Sequence, residues 1–272
     1  MMWINGITSQ QIGAAQRAVS FGDGVFTTFR VINGCVQHIE AHIERLQRAC
    51  LALAIDAIDW PLLEQELVAA ARSAQQPLMV GKAIVSRGQG GRGYSCEGVD
   101  SPARVVALYP FPSHVAKWRQ QGIQLLQAEL QLGIQPKLAG YKTLNRLEQV
   151  LGKQELSAKG AVEGVFCDSD GYVVECNAAN LFWRRGDLLY TPDLSLAGVA
   201  GIMRQKILDF CHQHQYRVHQ VRVQPAQLEE ADELFICNGI IGPVPVTGYQ
   251  QHHYSSHFLC RLLQKELDPL ES

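Results

Sequence analysis

The sequence predicts an α+β (mixed α/β) protein of two domains, a smaller N-terminal α/β domain and a larger C-terminal one. Three observations carry that expectation. Apolar residues alternate at every second position in some segments and recur at spacings of three and four in others, so strands and helices are both present. These segments follow no regular strand–helix–strand rhythm. Near the middle, Pro110-Phe111-Pro112-Ser113-His114 stiffens the chain and interrupts any sheet ladder. The expected division is a domain over residues 1–112, a linker over 113–118 and a second domain over 119–272.

In the first domain, Val25–Ile32 is β-branched and aromatic and runs into Asn33-Gly34, a hairpin turn signal. A helix is expected from about His38 to Ile55, because Ile39, Ile43, Leu46, Cys50 and Leu53 make one apolar stripe. Arg45 lies off that stripe by about 120°. Trp60-Pro61 opens a second helix, with proline suited to its first turn. Strands are expected near Lys82–Ser86 and Arg104–Tyr109.

In the second domain, Gly122–Leu132 is strand-like and Thr143–Leu156 is helical. Val162–Cys167 and Tyr172–Cys176 are expected to pair across the turn Asp168-Ser169-Asp170-Gly171. Further strands are expected at Asn180–Trp183, Asp187–Tyr190, Val218–Val223 and Leu234–Cys237. Helices complete the pattern at about Gly201–His214 and from about Ser255.

Of 272 residues, 47% are hydrophobic and 18% charged, which is a composition that builds a real core. The formal net charge of −2 makes no electrostatic case for nucleic acid or an anionic membrane. No apolar run reaches the ~20 residues of a membrane span. The N-terminus, Met1-Met2-Trp3-Ile4-Asn5-Gly6, has no basic region followed by an apolar stretch, so no signal peptide is expected. Eight cysteines occur without a C-x-x-C pair, several inside apolar runs such as Val165-Phe166-Cys167. They read as buried hydrophobes in a reducing compartment, and a cytoplasmic location is expected.

Three motifs look like sites and are read otherwise. Gly88-Gln89-Gly90-Gly91-Arg92-Gly93 matches a dinucleotide fingerprint, but no helix is expected after it to hold a pyrophosphate. A ligand-covering loop bearing Arg92 and Tyr94 is the better reading. His252, His253 and His257 lack a completing ligand and read as a solvated helix start, so no metal is expected. Asp168, Asp170 and Gly171 lack the later ligands of a calcium loop.

Two residues point to chemistry. Lys142, in Ala139-Gly140-Tyr141-Lys142-Thr143, is expected at the mouth of a helix, where the dipole disfavours a cation. Such an amine loses its proton more easily and acts as a nucleophile that forms Schiff bases. Glu175 sits in the apolar run Val173-Val174-Glu175-Cys176, and a half-buried carboxylate needs a partner. That partner is either a local group or the protonated nitrogen of a bound ring.

Taken together, Lys142, the spacing Glu175-x-x-x-x-Asn180-Leu181-Phe182, His42-Ile43-Glu44-Arg45-Leu46 and Gly201-Ile202-Met203-Arg204 resemble the fold-type IV pyridoxal-phosphate enzymes. That family includes branched-chain and D-amino-acid aminotransferases and 4-amino-4-deoxychorismate lyase. The resemblance runs from Phe21-Gly22-Asp23-Gly24 to Pro243-Val244-Pro245-Val246, and Lys142–Val150 is most similar to the lyase branch. It implies pyridoxal 5'-phosphate as cofactor, with Lys142 as the Schiff-base and catalytic lysine and Glu175 facing the pyridine nitrogen. It implies Arg45, the Gly201-Ile202-Met203 turn and Asn238 at the phosphate. Many relatives carry threonine at Met203, so backbone donors must serve there.

Phe26, Thr28 and Arg30 share one strand face, which in the family lines the substrate pocket. Arg92 and Tyr94 match a loop that reaches the neighbouring subunit's substrate carboxylate. Arginine forks suit such groups. A strand-edge charge is the competing reading of Arg30. The implied activity is that of the lyase branch, which forms 4-aminobenzoate and pyruvate in folate biosynthesis, with transamination on the same fold as the alternative. The implied assembly is a homodimer acting on a small carboxylate-bearing substrate, without nucleic acid or membrane.

Overall fold

Six strands form the N-terminal sheet: β1 (Met2–Ile4), β2 (Ile7–Thr8), β3 (Gly24–Ile32), β4 (Cys35–Val36), β5 (Leu78–Ser86) and β6 (Ala103–Pro110). Their order is β2-β1-β6-β5-β3-β4, and every pairing is antiparallel. Helices α1 (Arg17–Phe21), α2 (Ile39–Ala52) and α3 (Trp60–Arg72) accompany it. Asp59 caps α3 by accepting the Leu62 N–H at 2.9 Å, and Pro61 occupies the first turn where its missing N–H costs nothing. The apolar stripe of α2 buries Ile43, Leu46 and Cys50 against Val25, Phe29 and Val31 of β3 and Leu63 and Leu67 of α3.

This is a computed structural model that describes residues 1–268 and 270. The chain divides into two compact units, Met1–Pro112 with Tyr141–Asn145, and Ser113–Gly140 with the chain from Arg146 onward. Two expectations change. Residues 113–118 are not a linker: α4 (His114–Gln121) begins there and belongs to the second unit. Tyr141–Asn145, expected in the second domain, groups with the first, because Thr143 bridges to Val25 on β3.

The second unit continues with β7 (Ile123–Gln127), α5 (Leu147–Ala158), β8 (Glu163–Cys167), β9 (Val173–Cys176), β10 (Asn180–Arg185), β11 (Leu188–Pro192) and α6 (Ile202–Gln213). After these come β12 (Arg217–Val221), a 3-10 turn at Pro225–Leu228, β13 (Glu233–Asn238), β14 (Gly242–Tyr249), β15 (His252–His253) and α7 (Phe258–Leu267). The sheet order is β12-β11-β10-β13-β14-β7-β8-β9, with β15 on β14. Phe182, Met203, Ile207, Phe210 and Phe235 form its core with Leu259 and Leu263 of α7.

Strand β14 is absent from the sequence reading because Pro243 and Pro245 argue against a central strand. The register explains why it is tolerated. On one side β14 pairs with β13 over Gly242–Val246, but on the other it meets β7 only from Val246 onward. Both prolines therefore lie where that second ladder has not begun. The histidines also differ from expectation: His252 and His253 form β15, and His257 precedes α7.

Gly81 of β5 lies against Phe29, and a Cβ there would come within 1.9 Å of the ring. Phe29 is fully buried and has nowhere to move. Gly81→Ala is expected to lower stability by about 1–3 kcal/mol, read as a drop in the urea midpoint at unchanged slope.

Candidate active site

In the first unit the candidate residues are set on and beside β3. Segment 141–145 lies along the side of β3 away from β5. Phe26 N–H donates to the Lys142 carbonyl at 2.9 Å, and Leu144 N–H donates to the Gly24 carbonyl at 3.0 Å. Lys142 is thus held by strand-like pairing, and α5 begins only at Leu147. The expected placement at a helix mouth is incorrect, and a dipole that fades within one turn does not explain the residue. What the fold supplies instead is an aromatic surface: Lys142 Nζ lies 4.7 Å from the centre of the Phe26 ring.

Phe26, Thr28 and Arg30 alternate along β3 as expected, and they are half-buried, half-buried and buried. Arg30 is 4% exposed between β5 and the β4 hairpin, which rules out a solvated strand-edge charge. The same face holds a residue the sequence reading missed. Lys82, opposite Thr28 on β5, places its Nζ 4.7 Å from the Phe26 ring, and burial lowers its ammonium below the ordinary value. Its signal was available: in an antiparallel hairpin the residue opposite Thr28 shares its face.

Arg45 projects from α2 toward Thr27, with Nη1 3.5 Å from Oγ1. Burial, with Arg48 adding, lowers its guanidinium to about 10. Beside it His42, 2% exposed, has Nδ1 2.6 Å from the same Thr27 hydroxyl. Arg92 and Tyr94 stand elsewhere in this unit, exposed on the 88–98 loop, where the Tyr94 ring meets Phe21 at 5.5 Å. No helix begins within that loop, and its glycines carry turns.

In the second unit, Glu175 on β9 is 6% exposed and its Oε2 accepts the Val199 N–H at 2.9 Å. Arg146, which the sequence reading passed over, is its charged neighbour. Burial lowers the Arg146 guanidinium, and the negative charges of Glu175 and Glu148 partly offset this. The turn before α6 is fixed from the same strands. Asn180 Nδ2 donates to the Val199 carbonyl at 2.8 Å, and its Oδ1 lies 2.0 Å from where a Cβ on Gly201 would stand. Gly201 is required for that approach. No side chain caps α6 at Gly201, so its first-turn N–H groups suit an anion.

Ile202 and Met203 are 8% and 2% exposed, and Met203 packs in the core against Phe182 and Phe235. A methionine at this position therefore buries its side chain and leaves only backbone to face a ligand. Asn238 is committed to its own turn: Nδ2 donates to the Ala178 carbonyl at 2.8 Å, and Oδ1 accepts from Ile240 and Ile241 at 2.7 and 2.9 Å.

Residues 24–249 match the class IV amino-transferase family, and the chain belongs to it. It is 37% identical over 91% of both chains to an aminodeoxychorismate lyase of Vibrio harveyi. A crystal structure of 4-amino-4-deoxychorismate lyase from Pseudomonas aeruginosa superposes with a TM-score of 0.93 at 36% identity, covering 98% of this chain and all of that one. A D-alanine aminotransferase of Bacillus licheniformis is 28% identical over 85% of this chain and 80% of its own length.

His42 makes this site pH-sensitive in stability. Burial, then the charges of Arg45 and His38, push its pKa from 6.5 down to about 3. The folded state keeps it neutral while the unfolded chain takes up a proton near 6.5. Stability therefore falls as pH drops from there toward 3, by up to about 1.4 kcal/mol per pH unit from this group. His42→Asn, which keeps a polar group near Thr27, is expected to flatten that slope in thermal unfolding measured between pH 7 and 4.

Proposed function

We propose that this chain is a pyridoxal 5'-phosphate-dependent carbon–oxygen lyase. It converts 4-amino-4-deoxychorismate to 4-aminobenzoate and pyruvate, a step of folate biosynthesis. The observation that carries the reading is the Lys142 amine held over Phe26 by backbone pairing of its own carbonyl and of the Leu144 N–H with β3. The strong likeness to aminodeoxychorismate lyases supports this activity over transamination.

The donor set fits the cofactor group by group. Lys142 offers an amine to its aldehyde. Glu175, buried and fixed by the Val199 N–H, offers a carboxylate to its pyridine nitrogen. Arg45 and the uncapped turn Gly201-Ile202-Met203 suit its phosphate, with Asn238 fixing the adjoining turn at Ala178. When bound, the cofactor supplies an electron sink for charge beside the substrate nitrogen.

The chain's own residues then do the following. Lys142, as neutral amine, takes the proton from the ring carbon that bears the substrate nitrogen. The carbon–oxygen bond to the enolpyruvyl group breaks, and the ring becomes aromatic. Lys142 returns a proton to the departing group, which leaves as pyruvate. Phe26 and Thr28 border the ring, and Arg30, Arg92 and Tyr94 bind its carboxylates.

Leu147, Val150 and Leu151 on α5 are 76%, 51% and 53% exposed, an apolar strip that supports a homodimer. All eight cysteines are free, which supports a reducing, cytoplasmic setting. Among the described residues no helix is long and apolar enough to cross a membrane. The composition supports neither nucleic acid nor membrane as partner.

Purified protein is expected to show the visible absorbance of bound cofactor and to release pyruvate and 4-aminobenzoate from aminodeoxychorismate. Keto-acid exchange with D-alanine or leucine, and no pyruvate from aminodeoxychorismate, would instead identify an aminotransferase. Lys142→Ala is expected to lose the visible band and about 10²–10⁴-fold or more in rate. Retention of that band would refute the role given to Lys142.

A further inference from the structure

The 88–98 loop, whose Arg92 and Tyr94 the proposed reaction assigns to substrate, is organised by a residue that reaction leaves unused. Arg17 opens α1 and is 4% exposed. Its Nε donates to Asp23 Oδ2 at 2.8 Å. Its Nη1 donates to the Gly93 and Ser95 carbonyls, both at 3.1 Å, and reaches the Gly90 carbonyl at 3.5 Å. Its backbone N–H donates to the Gly88 carbonyl at 2.9 Å. The guanidinium also lies 4.8 Å from the centre of the Phe21 ring, and Phe21 packs on Tyr94. One side chain thus touches both flanks of Arg92 and the ring that backs Tyr94.

The loop is fitted to that guanidinium. A Cβ on Gly91 would come within 2.9 Å of Arg17 Nη1 and 2.4 Å of the Ser95 carbonyl, at a φ of +72°. Gly88, Gly90, Gly93 and Gly98 also have positive φ, so the segment has wide freedom when unfolded and loses it here. Asp23 holds the other side of the hub. Its Oδ2 also accepts Arg87 Nε at 2.8 Å, and Arg87 binds the Ala54 and Leu53 carbonyls at 2.6 and 2.7 Å. Burial would raise the Asp23 carboxyl, but hydrogen bonds from Arg87 and Arg17 outweigh it and hold the group below the ordinary carboxylate value.

We propose that Arg17 is a positioning residue for substrate: it holds the 88–98 loop in one arrangement, so that Arg92 and Tyr94 meet the substrate carboxylate already ordered. Ordering the loop beforehand removes that cost from binding. The fork geometry is essential, since an ammonium cannot bond one carboxylate and several carbonyls in a fixed plane. The proposal rests on the lyase reading and on the loop's contact with substrate.

The test uses the cofactor-loaded enzyme with Arg17→Lys, Arg17→Gln, Arg92→Ala and Gly91→Ala, which disturbs the hub from the loop side. Arg17→Lys and Gly91→Ala are expected to raise KM for aminodeoxychorismate about tenfold while kcat stays within about threefold. Both should speed tryptic cleavage after Arg92 and leave the visible band unchanged. Arg17→Gln in the Arg92→Ala background should add little further rise in KM, since both act through one loop. Wild-type KM in Arg17→Lys and Gly91→Ala, with or without faster cleavage, would overturn the proposal, as would full additivity with Arg92→Ala. Failure of the lyase reading shows separately, as wild-type enzyme that forms no 4-aminobenzoate.

Discussion

The pairing of Lys142–Leu144 with β3 is the constraint on which the first unit's candidate residues depend. It fixes Lys142 through main chain, so the amine's position owes nothing to a flexible loop. It also accounts for the glycines of Phe21-Gly22-Asp23-Gly24. A Cβ on Gly24 would lie 2.5 Å from the Val85 carbonyl and 2.9 Å from Leu144, and one on Gly22 would lie 2.4 Å from Asn145 Oδ1. The two glycines thus make room for residues 144 and 145, while Asp23 between them joins Arg17 and Arg87. One short motif therefore seats the lysine segment and anchors the loop that bears Arg92.

The second unit uses the same device for a different end. Glu175 and Asn180 are buried polar groups that would be costly without partners. Each is satisfied by the backbone of Val199, one through its N–H and the other through its carbonyl. Gly198, at φ +85°, and Gly201 flank that residue and leave space for both side chains. The carboxylate and the start of α6 are consequently fixed to each other through a single peptide segment.

Strong periodicity made part of this legible beforehand. The stripe of α2 and the β-branched run of β3 were readable because burial and propensity agree there. The family was readable from the motifs around Lys142, Glu175 and Arg45, which the resemblance joined. Three things were not. The helix after Lys142 was placed too early, because Leu144 continues the apolar spacing of Leu147 and Val150, whereas its N–H is taken by the Gly24 carbonyl of β3. Strand β14 was hidden by prolines whose tolerance depends on where β7 begins. The part Arg17 plays in the 88–98 loop carried no local signal, since the loop carbonyls it binds lie more than 70 residues away in sequence.

Positive charge is concentrated on the face around Phe26. Two amines, Lys82 and Lys142, stand over one ring, and Arg30 is buried on the same strand face. Burial lowers the Lys82 ammonium below its ordinary value. A half-buried cation of this kind is an unfavourable element of a resting protein and becomes favourable when a ligand brings negative charge. A substrate with two carboxylates meets that condition better than an aliphatic amino acid with one. In the proposed reaction Lys142 acts as a neutral amine, the form that can remove a proton from carbon. In the proposed reaction the cations that meet the ligand and the lysine that acts as base therefore share one strand face, beside a pairing that Gly24 and Thr143 hold in place.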